Sequence, residues 1–276
     1  MSTTASLKDV TGTIVLVGAG KMGAALLDGW IAGGLDPAKV VVIEPQPSPA
    51  ITRHAARGLK INPESGAASA EVVVLAIKPQ AAADVMPSLH RFISSSSVAV
   101  SIMAGKTLKF LQAGLPDGTA VVRAMPNTPA AIGRGITVAV PNTRVTAAQR
   151  QTADLLLAAA GDVEWIADEA LMDAVTAVSG SGPAYVFLLA EELAKAGVAA
   201  GLPAALADKL ARVTVAGSGE LLHRSSEEAA TLRKNVTSPG GTTAAALEVL
   251  MASDGLDPLM KKAIIAATKR SKELGS

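Results

Sequence analysis

The run Thr13-Ile14-Val15-Leu16-Val17 is β-branched and uncharged, and it ends directly on Gly18-Ala19-Gly20-Lys21-Met22-Gly23. Residues 22–31 then carry Ala and Leu at a helical period up to Gly33-Gly34. A strand buried on both faces, a glycine turn and a helix, in that order, restrict the chain to a parallel sheet with crossover helices. In this setting the first glycine permits a tight turn and the second lets a pyrophosphate approach the backbone. The third brings the helix close to the sheet, while the helix N-terminus offers free N–H donors. A glycine-rich turn that binds nothing reads the same letter by letter. The strand before, the helix after and an acid closing the next strand favour dinucleotide binding, through Gly18, Gly20, Lys21, Met22 and Gly23.

That next strand is Val40-Val41-Val42-Ile43-Glu44, closed by Pro45 and Pro47, with a helix expected over residues 48–57. Glu44 stands 21 residues beyond Gly23, where a carboxylate accepts hydrogen bonds from the ribose hydroxyls and favours NADH. Ser48 and Arg53 can receive a 2′-phosphate if Glu44 turns outward. Further strands are expected near 72–76, 98–102, 120–124, 136–140 and 163–166.

After Asp168 the strand signal ends. Ala- and Leu-rich stretches fill 169–178, 184–200, 203–222, 226–235, 242–252 and 258–274, broken most sharply at 179–183 and 237–241. The expected class is α/β. A doubly wound, Rossmann-type dinucleotide-binding domain covers 1–167, and an all-α domain covers 168–276.

Of the 276 residues, 49% are hydrophobic and 18% charged, which supports packed cores rather than disorder. There is no cysteine, so disulfides, thiolate metal sites and a cysteine nucleophile are excluded, and an intracellular location is the expectation. The net charge of +1 gives no field for gathering nucleic acid or an anionic membrane. Two Trp, one Tyr and three Phe are too few for a base-stacking platform. The polar stretch before Ile14 does not read as a secretory signal, and no apolar run reaches the roughly 20 residues of a membrane span. His54, His90 and His223 lie in separate segments without ligand spacing, so each is expected as a surface or capping residue, with no metal. Neither a GxSxG elbow nor a Walker motif occurs. Hydride transfer to a polarised C=N bond suits a chain with so little acid–base machinery.

Four further segments can carry chemistry. In Ala76-Ile77-Lys78-Pro79-Gln80, Lys78 follows a strand and stands where open α/β sheets bind ligands, or is a solvated loop charge. Val122-Arg123-Ala124-Met125-Pro126-Asn127-Thr128-Pro129 leaves another strand into a proline-stiffened turn, with Arg123 either near a nicotinamide or paired with an acid. Ser179-Gly180-Ser181-Gly182-Pro183 and Thr237-Ser238-Pro239-Gly240-Gly241 each precede a helix. The second can hold a carboxylate at the N-terminus opened by Thr242-Thr243, or supply ordinary caps and turns.

Taken together with Tyr185 after the first break and Asn235-Val236 before the second, these motifs closely resemble pyrroline-5-carboxylate reductase over nearly the whole chain. The resemblance implies reduction of 1-pyrroline-5-carboxylate to L-proline by NADPH or NADH, the last step of proline biosynthesis, in the cytoplasm. It implies a homodimer through the helical domain, possibly built further into a ring of five dimers. Carried over by position, Ser238, Gly240, Gly241 and Thr242 hold the substrate carboxylate, and Thr243 hydrogen-bonds the ring nitrogen. Asn62 approaches the adenosine end of the cofactor; Ala76, Lys78, Pro79 and Asn127 belong to its nicotinamide half. The family tends to carry small polar or basic residues where this chain has Glu44 to Ser48, which leaves the cofactor preference open. Other readings are a β-hydroxyacid dehydrogenase or imine reductase, with Lys195 as the nearest acid–base candidate, and a dinucleotide-binding regulator without turnover.

Overall fold

Uncharged β-branched runs become strands because two substituents on Cβ suit a pleated surface covered on both sides. The computed structural model describes residues 6–64 and 69–275. In chain order come β1 (Ile14–Val17), α1 (Lys21–Ala32), β2 (Val40–Ile43), α2 (Pro49–Thr52), β3 (Lys60–Ile61), β4 (Val72–Leu75), α3 (Ala82–Val85) and β5 (Val98–Ser101). Next are α4 (Leu108–Gly114), β6 (Ala120–Met125), β7 (Gly135–Pro141), α5 (Ala147–Ala158) and β8 (Gly161–Trp165). Helices follow: α6 (Met172–Val175), a π-helical turn over Thr176–Gly180, α7 (Gly182–Ala199), α8 (Ala204–Arg224), α9 (Ala229–Asn235), α10 (Thr242–Leu250) and α11 (Leu256–Gly275).

The chain divides into two compact units. Among the described residues, one comprises those up to 180 together with those from 268 onward, and the other is 181–267. The first holds an eight-stranded sheet in the order β3-β2-β1-β4-β5-β6-β7-β8. With β1 between β2 and β4, the connections leave it in opposite directions, which opens a ligand crevice at its carboxyl end. Successive residues of a strand face opposite sides, so Ile14 and Leu16 join Leu26, Leu27, Trp30, Leu156 and Leu157 in one core layer. Val15 and Val17 join Met86, Leu89, Phe92, Leu111 and Met172 in the other. Each such side chain contributes about 1.5–3 kcal/mol of burial, and the buried indole of Trp30 also donates to Leu156 O at 2.7 Å.

Two features of the sheet lie outside the sequence reading. The strand β3 is only Lys60–Ile61, too short for a periodic signal. β7 runs antiparallel to β6, with Met125 opposite Val138. The intervening residues 126–134 form a tight 3₁₀ return, which is too short for the crossover of a dozen or more residues that parallel pairing requires.

Residues 169–180 pack in the first unit, where Met172 is 1% exposed. The end of α11 does too: Ser271 Oγ donates to Asp173 Oδ1 at 2.6 Å. The break expected at 179–183 narrows to a bend at Ser181: the π-helical turn carries the helix through Gly180, and α7 starts at Gly182.

In the second unit α7 and α8 meet through small residues. A Cβ placed on Gly197 would stand 3.3 Å from Ala207 Cβ, and Ala207 and Ala211 are the buried residues of α8. Apolar side chains elsewhere in this unit face outward, among them Phe187, Leu189, Val213, Val249 and Ile265. Among the described residues no helix is long and apolar enough to cross a membrane.

Candidate active site

The three glycines of the first turn play separate geometric parts. Gly18 has φ +88°, and a Cβ there would stand 2.6 Å from Ala76 O, so the turn fits only glycine against the end of β4. A Cβ on Gly23 would overlap the Gly18 carbonyl, which lets α1 sit directly on the turn. Gly20 has open space on its Cβ side. It is also the N-cap of α1 and makes no side-chain cap bond, while Lys21 opens the helix and Met22 packs against the core. A twelve-residue helix with an uncapped N-terminus and clear space before it fits the pyrophosphate of a dinucleotide.

Glu44 continues this corner. Its Oε2 accepts the Ala19 amide at 2.8 Å and its Oε1 the Gln46 amide at 3.0 Å, so the carboxylate is turned in toward the glycine loop. Asn62 brackets the Glu44 backbone: its Oδ1 accepts Glu44 N–H at 2.9 Å and its Nδ2 donates to Glu44 O at 2.7 Å. Asn62 itself sits at φ +45°, the one non-glycine residue with positive φ among the described residues. Arg53 reaches α1 instead, with Nη2 2.9 Å from Asp28 Oδ1. His54, expected as a surface or capping residue, is 6% exposed, with Nε2 3.4 Å from the same carboxylate oxygen of α1. His90 is exposed, as expected, with Nε2 3.1 Å from Gly114 O, and His223 lies in the last turn of α8.

Lys78 caps a short 3₁₀ turn begun by Pro79 beyond the carboxyl end of β4, and it is exposed there. Beyond β6, Asn127 ties two segments: its Oδ1 accepts Ile136 N–H at 2.9 Å and its Nδ2 donates to Ser179 O at 3.2 Å. A Cβ on Gly180 would stand 2.5 Å from Met125 Cε, so the π-helical turn lies against the exit of β6. Arg123 is 5% exposed and its Nη1 donates to Glu169 Oε1 at 2.7 Å. Of its two possible roles the structure assigns the paired one. Glu169 was missed in the sequence, where nothing distinguishes it from a helix-start acid.

In the second unit, Ser238-Pro239-Gly240-Gly241 is a turn in which Gly241 N–H donates to Ser238 O at 3.0 Å. Proline second and Gly240 third at φ +69° is the type II pattern. Gly241 then caps α10 through its backbone alone, with no side-chain cap bond, so the N-cap residue offers no acceptor to the first amides of the helix, those of Thr242 and Thr243. The turn is exposed and Thr243 half-buried. Upstream, Thr237 Oγ1 donates to Arg233 O at 2.6 Å and so closes the end of α9 rather than facing a ligand. Lys195 is exposed, and its hydrogen bond and charge pairing with Glu192 raise its ammonium above the ordinary lysine range. A solvated lysine held in its charged form is poorly suited to act as a base. Among the described residues there is no group of three His, Asp or Glu placed to hold a metal.

Residues 169–274 match the family described as pyrroline-5-carboxylate reductase dimerisation, and residues 13–105 that described as NADP oxidoreductase, coenzyme F420-dependent. The chain is 41% identical to a pyrroline-5-carboxylate reductase of Pseudomonas aeruginosa over 267 residues, 96% of this chain and 97% of that one. A solved pyrroline-5-carboxylate reductase from Coxiella burnetii superposes with a TM-score of 0.88 at 33% identity, covering 97% of this chain and 100% of that chain. The Plasmodium falciparum pyrroline carboxylate reductase with NADP bound gives 0.79 at 30% identity, covering 96% and 99%.

Proposed function

This chain belongs to the pyrroline-5-carboxylate reductase family, and from that premise we propose how its residues share the work. It reduces 1-pyrroline-5-carboxylate to L-proline, the closing reaction of proline biosynthesis, with NADPH or NADH as cofactor. The reduced nicotinamide, when bound, supplies the hydride.

The open side of Gly20 and the uncapped start of α1 receive the pyrophosphate, aided by Lys21 and Met22, while Gly18 and Gly23 keep the turn compact. Glu44 and Asn62 define the adenosine end. Ala76, Lys78, Pro79 and Asn127 line the nicotinamide half, at the carboxyl edge of the sheet. Substrate binding falls to the turn Ser238–Gly241 with the first amides of α10, where converging N–H groups and the helix dipole suit a carboxylate. Thr243 Oγ1 hydrogen-bonds the ring nitrogen, accepting from its N–H once the imine is protonated, and so orients the ring. A threonine hydroxyl is too weak an acid to be the proton source, so the substrate arrives protonated or takes its proton from water.

The observation that carries this reading is the type II turn running into a helix with no side-chain cap. A crystal soaked with proline tests it: the carboxylate is expected on the amides that follow Gly241, those of Thr242 and Thr243. A ligand bound elsewhere, with those amides left solvated, overturns it.

The same reading assigns residues 1–167 to dinucleotide binding and 168–276 to substrate binding and dimerisation. Outward-facing Phe187, Leu189 and Leu193 support a homodimer through the helical half. A ring of five such dimers and a cytoplasmic location complete the proposal, with light scattering of the purified protein testing the assembly and fractionation of cells the location.

A further inference from the structure

We infer that this enzyme selects NADH over NADPH, through a carboxylate locked in place at Glu44. The inference rests on the reductase reading above and concerns which of the two cofactors that site admits.

Three observations converge. First, Glu44 does not turn outward: both its oxygens are engaged, with the Ala19 amide at 2.8 Å and the Gln46 amide at 3.0 Å. Each oxygen keeps a lone pair for a ribose hydroxyl, whereas a 2′-phosphate would meet a fixed negative charge. Second, the backbone that carries Glu44 is itself held. Asn62 accepts from its N–H and donates to its carbonyl, adopting φ +45° to do so. Asparagine enters this region more readily than other non-glycine residues, and here its side-chain amide bonds the Glu44 backbone at both N–H and carbonyl. Swinging the acid aside would break two hydrogen bonds to the carboxylate and strain the two to Asn62. Third, Arg53, the cation downstream of β2 that could answer a 2′-phosphate, points to α1. Its guanidinium contacts Asp28 at 2.9 Å and lies 3.3 Å from His54 Nε2.

Glu44 therefore acts as a specificity-determining residue and Asn62 as its positioning residue. Asp28 supports the same choice by engaging Arg53. That pair is largely exposed, with side chains 58% and 49% accessible, so its share is the smaller one.

Calorimetric titration of the purified enzyme with NADH and with NADPH, alongside initial rates with each, tests the inference. Wild type is expected to bind NADH at least about tenfold more tightly, the scale of an unfavourable like-charge contact in a partly buried site. Glu44→Gln keeps one acceptor for the Ala19 amide and removes the charge, so it separates repulsion from loop support. It should narrow the NADH:NADPH affinity ratio by about tenfold with thermal stability preserved. Glu44→Ser with Asp28→Asn, which also frees Arg53, should bring the ratio to unity or below. Asn62→Ala should weaken discrimination while leaving 5′-AMP binding measurable. Equal affinity in wild type, tighter NADPH binding, or an unchanged ratio in Glu44→Gln overturns the inference and leaves the reductase reading standing. Failure of both dinucleotides to bind overturns both.

Discussion

Arg123 Nη1 donates to Glu169 Oε1 at 2.7 Å, and the same oxygen accepts the Leu108 amide at 2.7 Å. One carboxylate thus joins β6, the start of α4 and the segment leading to the π-helical turn. The guanidinium is nearly buried and Glu169 is 29% accessible. Removing one partner of such a pair leaves a charge without compensation, at a cost of about 3–5 kcal/mol when both are buried. Because Glu169 is partly solvated, Glu169→Gln is expected to cost about 2–3 kcal/mol, read as a shift in the urea midpoint at constant slope. A double change, Arg123→Met with Glu169→Leu, should cost less than the two single changes added. Strict additivity would mean that the pair is uncoupled.

Gly20 and Gly23 separate binding from folding. Gly23→Ala forces a methyl into the Gly18 carbonyl and should destabilise the protein by about 1–3 kcal/mol, as overpacking does. Gly20→Ala meets open space and should leave the melting temperature almost unchanged, while dinucleotide affinity falls about tenfold or more as the methyl enters the pyrophosphate position. Undiminished affinity in Gly20→Ala would place the pyrophosphate elsewhere.

Thr243→Val is isosteric and removes one hydrogen-bonding hydroxyl at the start of α10. Loss of one such bond in the transition state lowers turnover by about ten- to a hundredfold. Stopped-flow measurement of the nicotinamide absorbance during a single turnover checks this, and an unchanged rate removes Thr243 from the chemistry.

Phe187 is 63% exposed and Leu189 57% exposed on the single chain. If a second copy covers them, the melting temperature rises with protein concentration, and Leu189→Glu yields a smaller species in light scattering. A dimer undisturbed by that substitution would move the interface off this part of α7.

The glycine turn, the acid at the end of β2, the strand–helix alternation and the Ser-Pro-Gly-Gly turn before α10 are legible in the amino-acid sequence. Each depends on interactions within a few residues, where glycine's access to positive φ, proline's fixed φ and β-branched runs leave few choices. What Glu44, Arg53 and Arg123 do with their charges is another matter. Glu44 Oε2 reaches an amide 25 residues earlier, Arg53 a carboxylate 25 residues earlier and Arg123 an acid 46 residues later. A charged side chain carries no local mark of its partner, because a Coulombic contact is set by distance in space. Packing of the helices onto the sheet therefore decided these partnerships. The antiparallel turn of β7 and the continuous helix through Ser179 and Gly180 were likewise decided in three dimensions, where a short connection and the approach of Met125 outweighed local propensity.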